Sequence, residues 1–227
     1  MKYIHIGLGK TGTTFLQNYI FEIISKYENL IYYNSNHPGS KLVRNHSIKL
    51  RTNEEISDIK LPDNVFVSDE TLVSWDPQDW ENFAAKNLIA FGSNCAIILT
   101  IREPRSFFNS LYSEICLQSS KVKSLDEFIY CKKQIDLKRS PSSLNIYDFS
   151  YNKLINIYKK IFHKIIIIKY EDITNLAFID KYFSKTSINI LEEIQYTKTF
   201  KINKSYSMYA EVLHLFLFNN MAKFIFI

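Results

Sequence analysis

The chain opens Met1-Lys2-Tyr3-Ile4-His5-Ile6-Gly7-Leu8-Gly9-Lys10-Thr11-Gly12-Thr13-Thr14-Phe15-Leu16-Gln17, and this stretch decides how the rest is read. Tyr3-Ile4-His5-Ile6 is a short apolar run of strand type. It ends in a turn of glycine and threonine, and a helical pattern follows with Phe15, Leu16, Tyr19, Ile20 and Ile23 as its apolar positions. Strand, tight loop and helix in that order place backbone N–H groups and a helix N-terminus around an anion. Glycine lets the backbone turn sharply and come close to a ligand. Lys10 adds a point charge, while Thr11, Thr13 and Thr14 add hydroxyl donors. The segment reads as a phosphate-binding loop.

Three loop patterns compete for it. The pattern G-x-x-x-x-G-K-[ST] would use Gly9-Lys10-Thr11, but its first glycine falls on Ile4. The dinucleotide pattern G-x-G-x-x-G is present as Gly7, Gly9 and Gly12, yet it wants an acidic residue closing the second strand. That strand, Leu30-Ile31-Tyr32-Tyr33, closes on Asn34, with Glu28 ahead of it. The third pattern has lysine before the last glycine, Lys10-Thr11-Gly12-Thr13-Thr14. It resembles the 5′-phosphosulfate loop of the sulfotransferases that use 3′-phosphoadenosine 5′-phosphosulfate. Phe15-Leu16-Gln17 continues as in the bacterial carbohydrate-type branch of that family.

A second segment agrees. Cys95-Ala96-Ile97-Ile98-Leu99-Thr100-Ile101 reads as a buried parallel strand. It ends on Arg102-Glu103-Pro104, where proline suits a first helical position. The helix then carries Phe107, Phe108, Leu111, Tyr112 and Ile115 on one broad face. In the family resembled, the 3′-phosphate is held by an arginine at the strand end and a serine eight residues later. Arg102 and Ser110 have that spacing, and Ser110-Leu111-Tyr112 matches the family's S-x-Y. Tyr170-Glu171-Asp172-Ile173, after the apolar run Lys164 to Lys169, is similar to the family's Y-E-D-[LI], a structural segment whose acids cap the next helix. Asn203-Lys204-Ser205 resembles the N-x-S that closes many bacterial members.

The third strand, Val65-Phe66-Val67-Ser68, is followed by Asp69-Glu70-Thr71-Leu72. Ligands in open α/β sheets sit at the carboxyl ends of strands. Ser68, Glu70 and Leu72 match the S-x-E-x-L of the bacterial branch, and the resemblance implies that Glu70 takes the acceptor's proton. Asp69 or Glu70 capping the next helix is the alternative. Trp75 and Trp80 just beyond are either stacking residues for a sugar or adenine, or core.

At 227 residues, 46% apolar, the chain suits one domain, residues 1–227, with a sizeable core. The net charge of +5 comes from scattered lysines without a long basic block, so nucleic-acid binding is not inferred. Cys95, Cys116 and Cys131 show no C-x-x-C spacing; Cys95 in a core strand and Cys116 in an apolar helix suit buried thiols in a reducing, cytoplasmic setting. The five histidines lack ligand spacing, so no metal site is read. With its first strand at the start of the sequence, no signal peptide is expected. The run Val212 to Ile227 is broken by Asn219, Asn220 and Lys223 and is too short to span a bilayer. Its apolar ending, Phe224-Ile225-Phe226-Ile227, suggests a domain incomplete at the C-terminus. A polar loop is expected over 34–51, a helix or turn over 54–62, helices near 78–91 and 151–162, and a turn-rich stretch over 118–150. The loops 34–51 and 118–150 are the places expected to select the acceptor.

Strand segments starting near residues 2, 30, 64, 95 and 164, mostly separated by helical patterns, predict a three-layer α/β/α domain with a mainly parallel sheet of the P-loop nucleotide-hydrolase type. The resemblance implies sulfuryl transfer from 3′-phosphoadenosine 5′-phosphosulfate to a hydroxyl or amine, on a carbohydrate, without a metal. It implies Lys10 as catalytic residue with Glu70, and Lys10, Thr11, Gly12, Thr13, Thr14, Arg102 and Ser110 as nucleotide ligands. Two features depart from the family: Gly9 stands where proline or histidine is usual, and no arginine- and glycine-rich segment follows for the 3′-phosphate. A small-molecule kinase on the same fold and a non-catalytic nucleotide- or glycan-binding descendant are the alternatives.

Overall fold

The structure is a computed structural model that describes residues 1–34, 37–118, 128 and 148–196. Five strands form one sheet: β1 (Lys2–Gly7), β2 (Ile31–Tyr33), β3 (Val65–Ser68), β4 (Cys95–Ile101) and β5 (Lys164–Lys169). Their order is β2-β3-β1-β4-β5, and every neighbouring pair is parallel. β1 therefore lies at the centre, with Ile4 opposite Val67 on one side and Ile97 on the other. Parallel strands buried on both faces read as continuous apolar runs. That is why the inner strands were legible; the edge strand β2, where Ile31 is 40% exposed, shows instead by its short apolar and aromatic run.

Alternate residues of β4 belong to two separate apolar clusters. Cys95, Ile97 and Leu99 pack with α3 (Ser40–Thr52), α4 (Trp80–Phe91) and α6 (Tyr151–Ile161), through Val43, Trp80 and Tyr158. Ala96 and Ile98 pack with Leu16 and Ile20, and with residues of α2 (Phe21–Tyr27), α8 (Ala177–Tyr182) and α9 (Ser187–Tyr196). Helices thus cover both faces, an arrangement compatible with three layers. Between β4 and α6 runs α5 (Pro104–Gln118), and α7 (Tyr170–Ile173) follows β5 directly.

Three expectations need correction. The first helix is not regular: a short α1 (Thr13–Phe15) passes through a π-helical segment, Leu16–Ile20, into α2. The wider π turn shifts the register, so Phe21 and Ile24 face inward while Tyr19 stays 41% exposed. The expected polar loop over 34–51 is largely α3, whose buried residues are Val43, His46, Ser47 and Leu50. Its helical period was hidden because two of those four are polar. Residues 54–62 form no regular element; Ile59 N–H donates to Ala90 O and ties this stretch to α4.

Most of the stretch 118–150, Asn203-Lys204-Ser205 and the run from Val212 lie outside the described residues, as does Cys131. Among the described residues no helix is long and apolar enough to cross a membrane.

The topology sets the site. From β1 the chain crosses to β2 beyond β3, whereas from β4 it proceeds to β5 on the opposite side. The carboxyl ends of β1 and β4 flank this divergence, the usual ligand crevice of an open α/β sheet. The glycine–threonine loop and Arg102 stand at those two ends.

Candidate active site

The loop from Gly7 to Gly12 is shaped by what presses on it. A Cβ on Gly7 would lie 2.0 Å from Thr100 Oγ1, so only glycine lets β4 approach this closely. A Cβ on Gly9 would meet the Trp75 ring at 3.1 Å. The Trp75 ring thus takes up the space that a larger residue at position 9 would need. Gly12 has φ +87°, a conformation that disfavours side chains, and its open face is covered by Tyr170 and Ile173 of α7. The segment Tyr170–Ile173 thus closes the loop from behind.

Thr11 is fully buried. Its hydroxyl donates to Leu8 O at 2.6 Å and lies 2.7 Å from Thr100 Oγ1. A hydroxyl has one proton, so Thr100 is the donor in the second bond. Thr11 therefore braces the loop, and its hydroxyl does not point at a ligand. Thr13 is also buried, with its hydroxyl donating to Glu70 Oε2 at 2.8 Å, while Thr14 is exposed.

Lys10 adopts φ +69°, left-handed for a residue other than glycine. Its carbonyl accepts from Arg102 Nη1 at 3.0 Å, and its ammonium sits 3.5 Å from Glu114 Oε2 on α5. Arg102 also donates through Nε to Ser106 Oγ at 2.9 Å, and its guanidinium lies over the Tyr170 ring at 4.2 Å. Arg102, Ser106, Ser110 and Glu114 recur every four residues, so those on α5 lie along one row of the helix. The sequence had picked Ser110 from this row. The side chain Arg102 reaches is Ser106, one turn nearer, and Ser110 is half-buried.

Glu171 accepts from Glu103 N–H at 3.1 Å, at the start of α5. It does not cap the helix after its own: Ala177 N–H donates instead to Asn175 Oδ1. Glu171 and Tyr170 together fix the strand end that carries Arg102.

Geometry separates Asp69 from Glu70 as the capping residue. Asp69 caps the short turn Glu70–Leu72 by accepting from Thr71 N–H at 2.8 Å. The Glu70 carboxylate is left to face the loop, bonded to Thr13. Although the residue as a whole is exposed, its carboxyl end is crowded against the loop. Desolvation there pushes its pKa above the ordinary glutamate value, with Asp69 and Glu114 adding to the rise; the Thr13 bond and Lys10 oppose it. Behind the turn, buried Asn87 donates to Leu72 O at 2.8 Å. Its oxygen must then be the acceptor for His46 Nε2–H, also at 2.8 Å. Asn87 anchors the turn that presents Glu70.

Below the loop the Ser68 hydroxyl bridges His5 Nδ1 at 2.7 Å and the Gln17 amide at 2.9 Å. Two residues quoted in separate motifs, Gln17 and Ser68, are thus hydrogen-bonded partners. Trp75 stacks on Phe107 beside Gly9, whereas Trp80 is fully buried and donates to Ser74 O. Of the two tryptophans, only Trp75 borders the site.

Lys10, Thr13, Glu70 and Arg102 therefore converge at the carboxyl edge of β1, β3 and β4, within one connected set of contacts. Ser106, Glu114 and Tyr170 also border the site and were not singled out as ligands, whereas Trp75 was one of two aromatic candidates. The four-residue row on α5 is the signal that would have found the first two. Among the described residues no group of three or more His, Cys, Asp or Glu is placed to hold a metal ion. No family model matches the chain, and a search of curated proteins returns no match.

Proposed function

We propose that this chain is a sulfotransferase that moves a sulfuryl group from 3′-phosphoadenosine 5′-phosphosulfate to a hydroxyl or amine acceptor of carbohydrate type. The observation that carries the proposal is the convergence of Lys10, Arg102 and Glu70 on one glycine–threonine loop at the switch point of the sheet. The central β1, the strand order and the loop-to-helix connection support a P-loop type of fold. The donor set fits a polyanionic nucleotide: an ammonium, a guanidinium, the exposed Thr14 hydroxyl and the first-turn N–H groups of Thr13 and Thr14, which helix geometry leaves without intrahelical acceptors.

On this reading Thr13 and Thr14 N–H hold the 5′-phosphate, and Lys10 neutralises the charge left on its oxygen as the sulfur–oxygen bond breaks. Glu70 takes the proton from the acceptor oxygen or nitrogen as that atom bonds to sulfur. Its raised pKa brings it nearer to the range in which a base both stays ionised and accepts a proton well. Arg102 holds the 3′-phosphate with Ser110, exchanging its bond to the Lys10 carbonyl for the ligand. No metal is needed, since the ammonium and amides supply the charge.

The test is thermal stability with 3′,5′-adenosine bisphosphate, 5′-AMP and Mg²⁺-ATP at matched concentration. Ligand at about 100 times its dissociation constant adds roughly 2.7 kcal/mol, a shift of about 5–10 °C at this size. A shift with the bisphosphate well above those with the other two supports sulfotransfer. A shift confined to Mg²⁺-ATP points to a kinase, and none at all to a chain that does not bind nucleotide.

A further inference from the structure

Glu114 is the part of the site that the proposed chemistry does not use. It stands on the same row of α5 as Ser106 and Ser110, the row that Arg102 leads into at the strand end; all three suit an anion, yet Glu114 carries a negative charge itself. It faces the loop lysine at 3.5 Å, with both side chains about one-third exposed (33% and 34%). The backbone of Lys10 is held at φ +69° and its carbonyl is bonded to Arg102. The lysine is thus fixed at its root and leans on Glu114 at its tip.

We infer that Glu114 is a positioning residue for Lys10: it serves as a displaceable counter-ion that holds the ammonium at the loop and yields it to an incoming phosphate-type anion. This rests on the proposed function only in supposing that the loop takes an anion; it does not require sulfur chemistry. The physical argument is competition. An anion arriving at the first-turn N–H groups must share or take the ammonium from Glu114, whose carboxylate then lies near a second negative charge. Because the pair is partly exposed, its strength is modest, so the exchange is reversible. A fully buried pair would block the site, since removing one partner would strand the other charge.

Glu114 also acts on Glu70. The charged groups that bear on Glu70 are Asp69 beside it, Glu114 on α5 and Lys10 on the loop, the first two raising its pKa and the last lowering it. Neutralising Glu114 therefore removes one of the causes that hold the Glu70 pKa up. A residue that merely packed the helix would leave that value unmoved.

The experiment is calorimetric binding of two probes, 3′,5′-adenosine bisphosphate and inorganic pyrophosphate, to wild type, Glu114→Gln, Lys10→Ala and the double variant, with folding checked by circular dichroism. Glu114→Gln is expected to bind both probes about two- to five-fold more tightly at low salt, the range corresponding to an exposed pair of up to about 1 kcal/mol. On a Lys10→Ala background the gain should shrink, because only relief of the repulsion between Glu114 and the anion remains. Carbon-13 titration of the Glu70 carboxyl, which needs no ligand, should show its pKa lower in Glu114→Gln. Unchanged or weaker binding in Glu114→Gln overturns the inference, as does an equal gain without Lys10 or an unmoved Glu70 titration. If both probes tighten but the bisphosphate binds no better than 5′-AMP, measured alongside, in any variant, the counter-ion role stands and the sulfotransferase reading falls. The reverse pattern separates them the other way.

Discussion

Replacing Gly7 by alanine tests the geometry on which the site depends. The new methyl would be placed 2.0 Å from Thr100 Oγ1, 3.2 Å from Thr13 Cγ2 and 3.3 Å from His5 Nε2. All three neighbours are buried, and Gly7 ends the central strand, so the backbone has little room to move. Thr100 can escape only by rotating its hydroxyl away from Thr11, breaking the 2.7 Å bond that braces the loop. Crowding of this kind costs about 1–3 kcal/mol, and the lost hydrogen bond about 1 kcal/mol more. Against this, alanine stabilises by about 0.4–1 kcal/mol through the unfolded chain. The net expectation is a loss of about 1–3.5 kcal/mol. Thr100→Ala removes the clashing oxygen and alone should cost about 1–2 kcal/mol. In the double variant the alanine methyl finds space, so the two costs should fall short of adding by at least about 1 kcal/mol. Urea unfolding of the four proteins measures this. Additivity within about 0.5 kcal/mol, the behaviour of uncoupled sites, would refute the close approach of β4 to the loop.

Other outcomes follow from the same structure. His5 is fully buried, and desolvation lowers its pKa from 6.5 to about 3, so folding keeps it neutral. Its contribution is complete above the unfolded value and is lost as pH falls from 6.5 toward 3; at pH 5 the loss is about 2 kcal/mol. His46 is lowered too, first by desolvation, and acts in the same direction. In His5→Asn the denaturation midpoint should fall less steeply with acid; an unchanged slope refutes the assignment. If Glu70 is the base, kcat should rise with pH along a limb above the ordinary glutamate value, and Glu70→Gln should lower it about 100-fold or more with stability nearly intact. A Glu70→Gln variant at full rate would exclude that role. Asn87→Leu leaves the Leu72 carbonyl and His46 without their partner and should cost about 2–4 kcal/mol; a loss under about 0.5 kcal/mol in a thermal melt would contradict its part in anchoring the Glu70 turn.

The sheet was legible because each strand is a continuous apolar run at a position where nothing else explains it. Cys95–Ile101 is the clearest case. The loop and Arg102 were legible because motif residues sit at strand ends, and strand ends are where the topology gathers them. What could not be read depended on partners distant in sequence. Gly9 has no explanation within its own motif, because the Trp75 ring that occupies its open side lies far away in sequence. Asp69 and Glu70 were equivalent as a dipeptide, and only the turn conformation assigned the cap to one and the loop to the other. Thr11 and Thr13 carry the same hydroxyl, but one is turned onto Leu8 and Thr100 and the other onto Glu70. The π segment over Leu16–Ile20 has no sequence pattern of its own; it shows only as a register shift that exposes Tyr19 and buries Phe21. α3 was missed because His46 and Ser47 fill apolar positions, and the Asn87 that satisfies His46 lies 41 residues away.

The central claim is that this site takes a nucleotide carrying a 3′-phosphate, with Arg102 as its reader. The most direct measurement is the ratio of calorimetric dissociation constants for 5′-AMP and 3′,5′-adenosine bisphosphate, in wild type and in Arg102→Ala. The ratio matters more than either constant, because Arg102 also supports the Lys10 carbonyl and its removal weakens both ligands. Charge-assisted hydrogen bonds to the extra phosphate are worth about 1.5–3 kcal/mol, roughly a 10- to 100-fold preference for the bisphosphate. The account predicts that preference in wild type and its collapse toward unity in Arg102→Ala. Equal affinities in wild type, or a preference that survives the loss of Arg102, would contradict it.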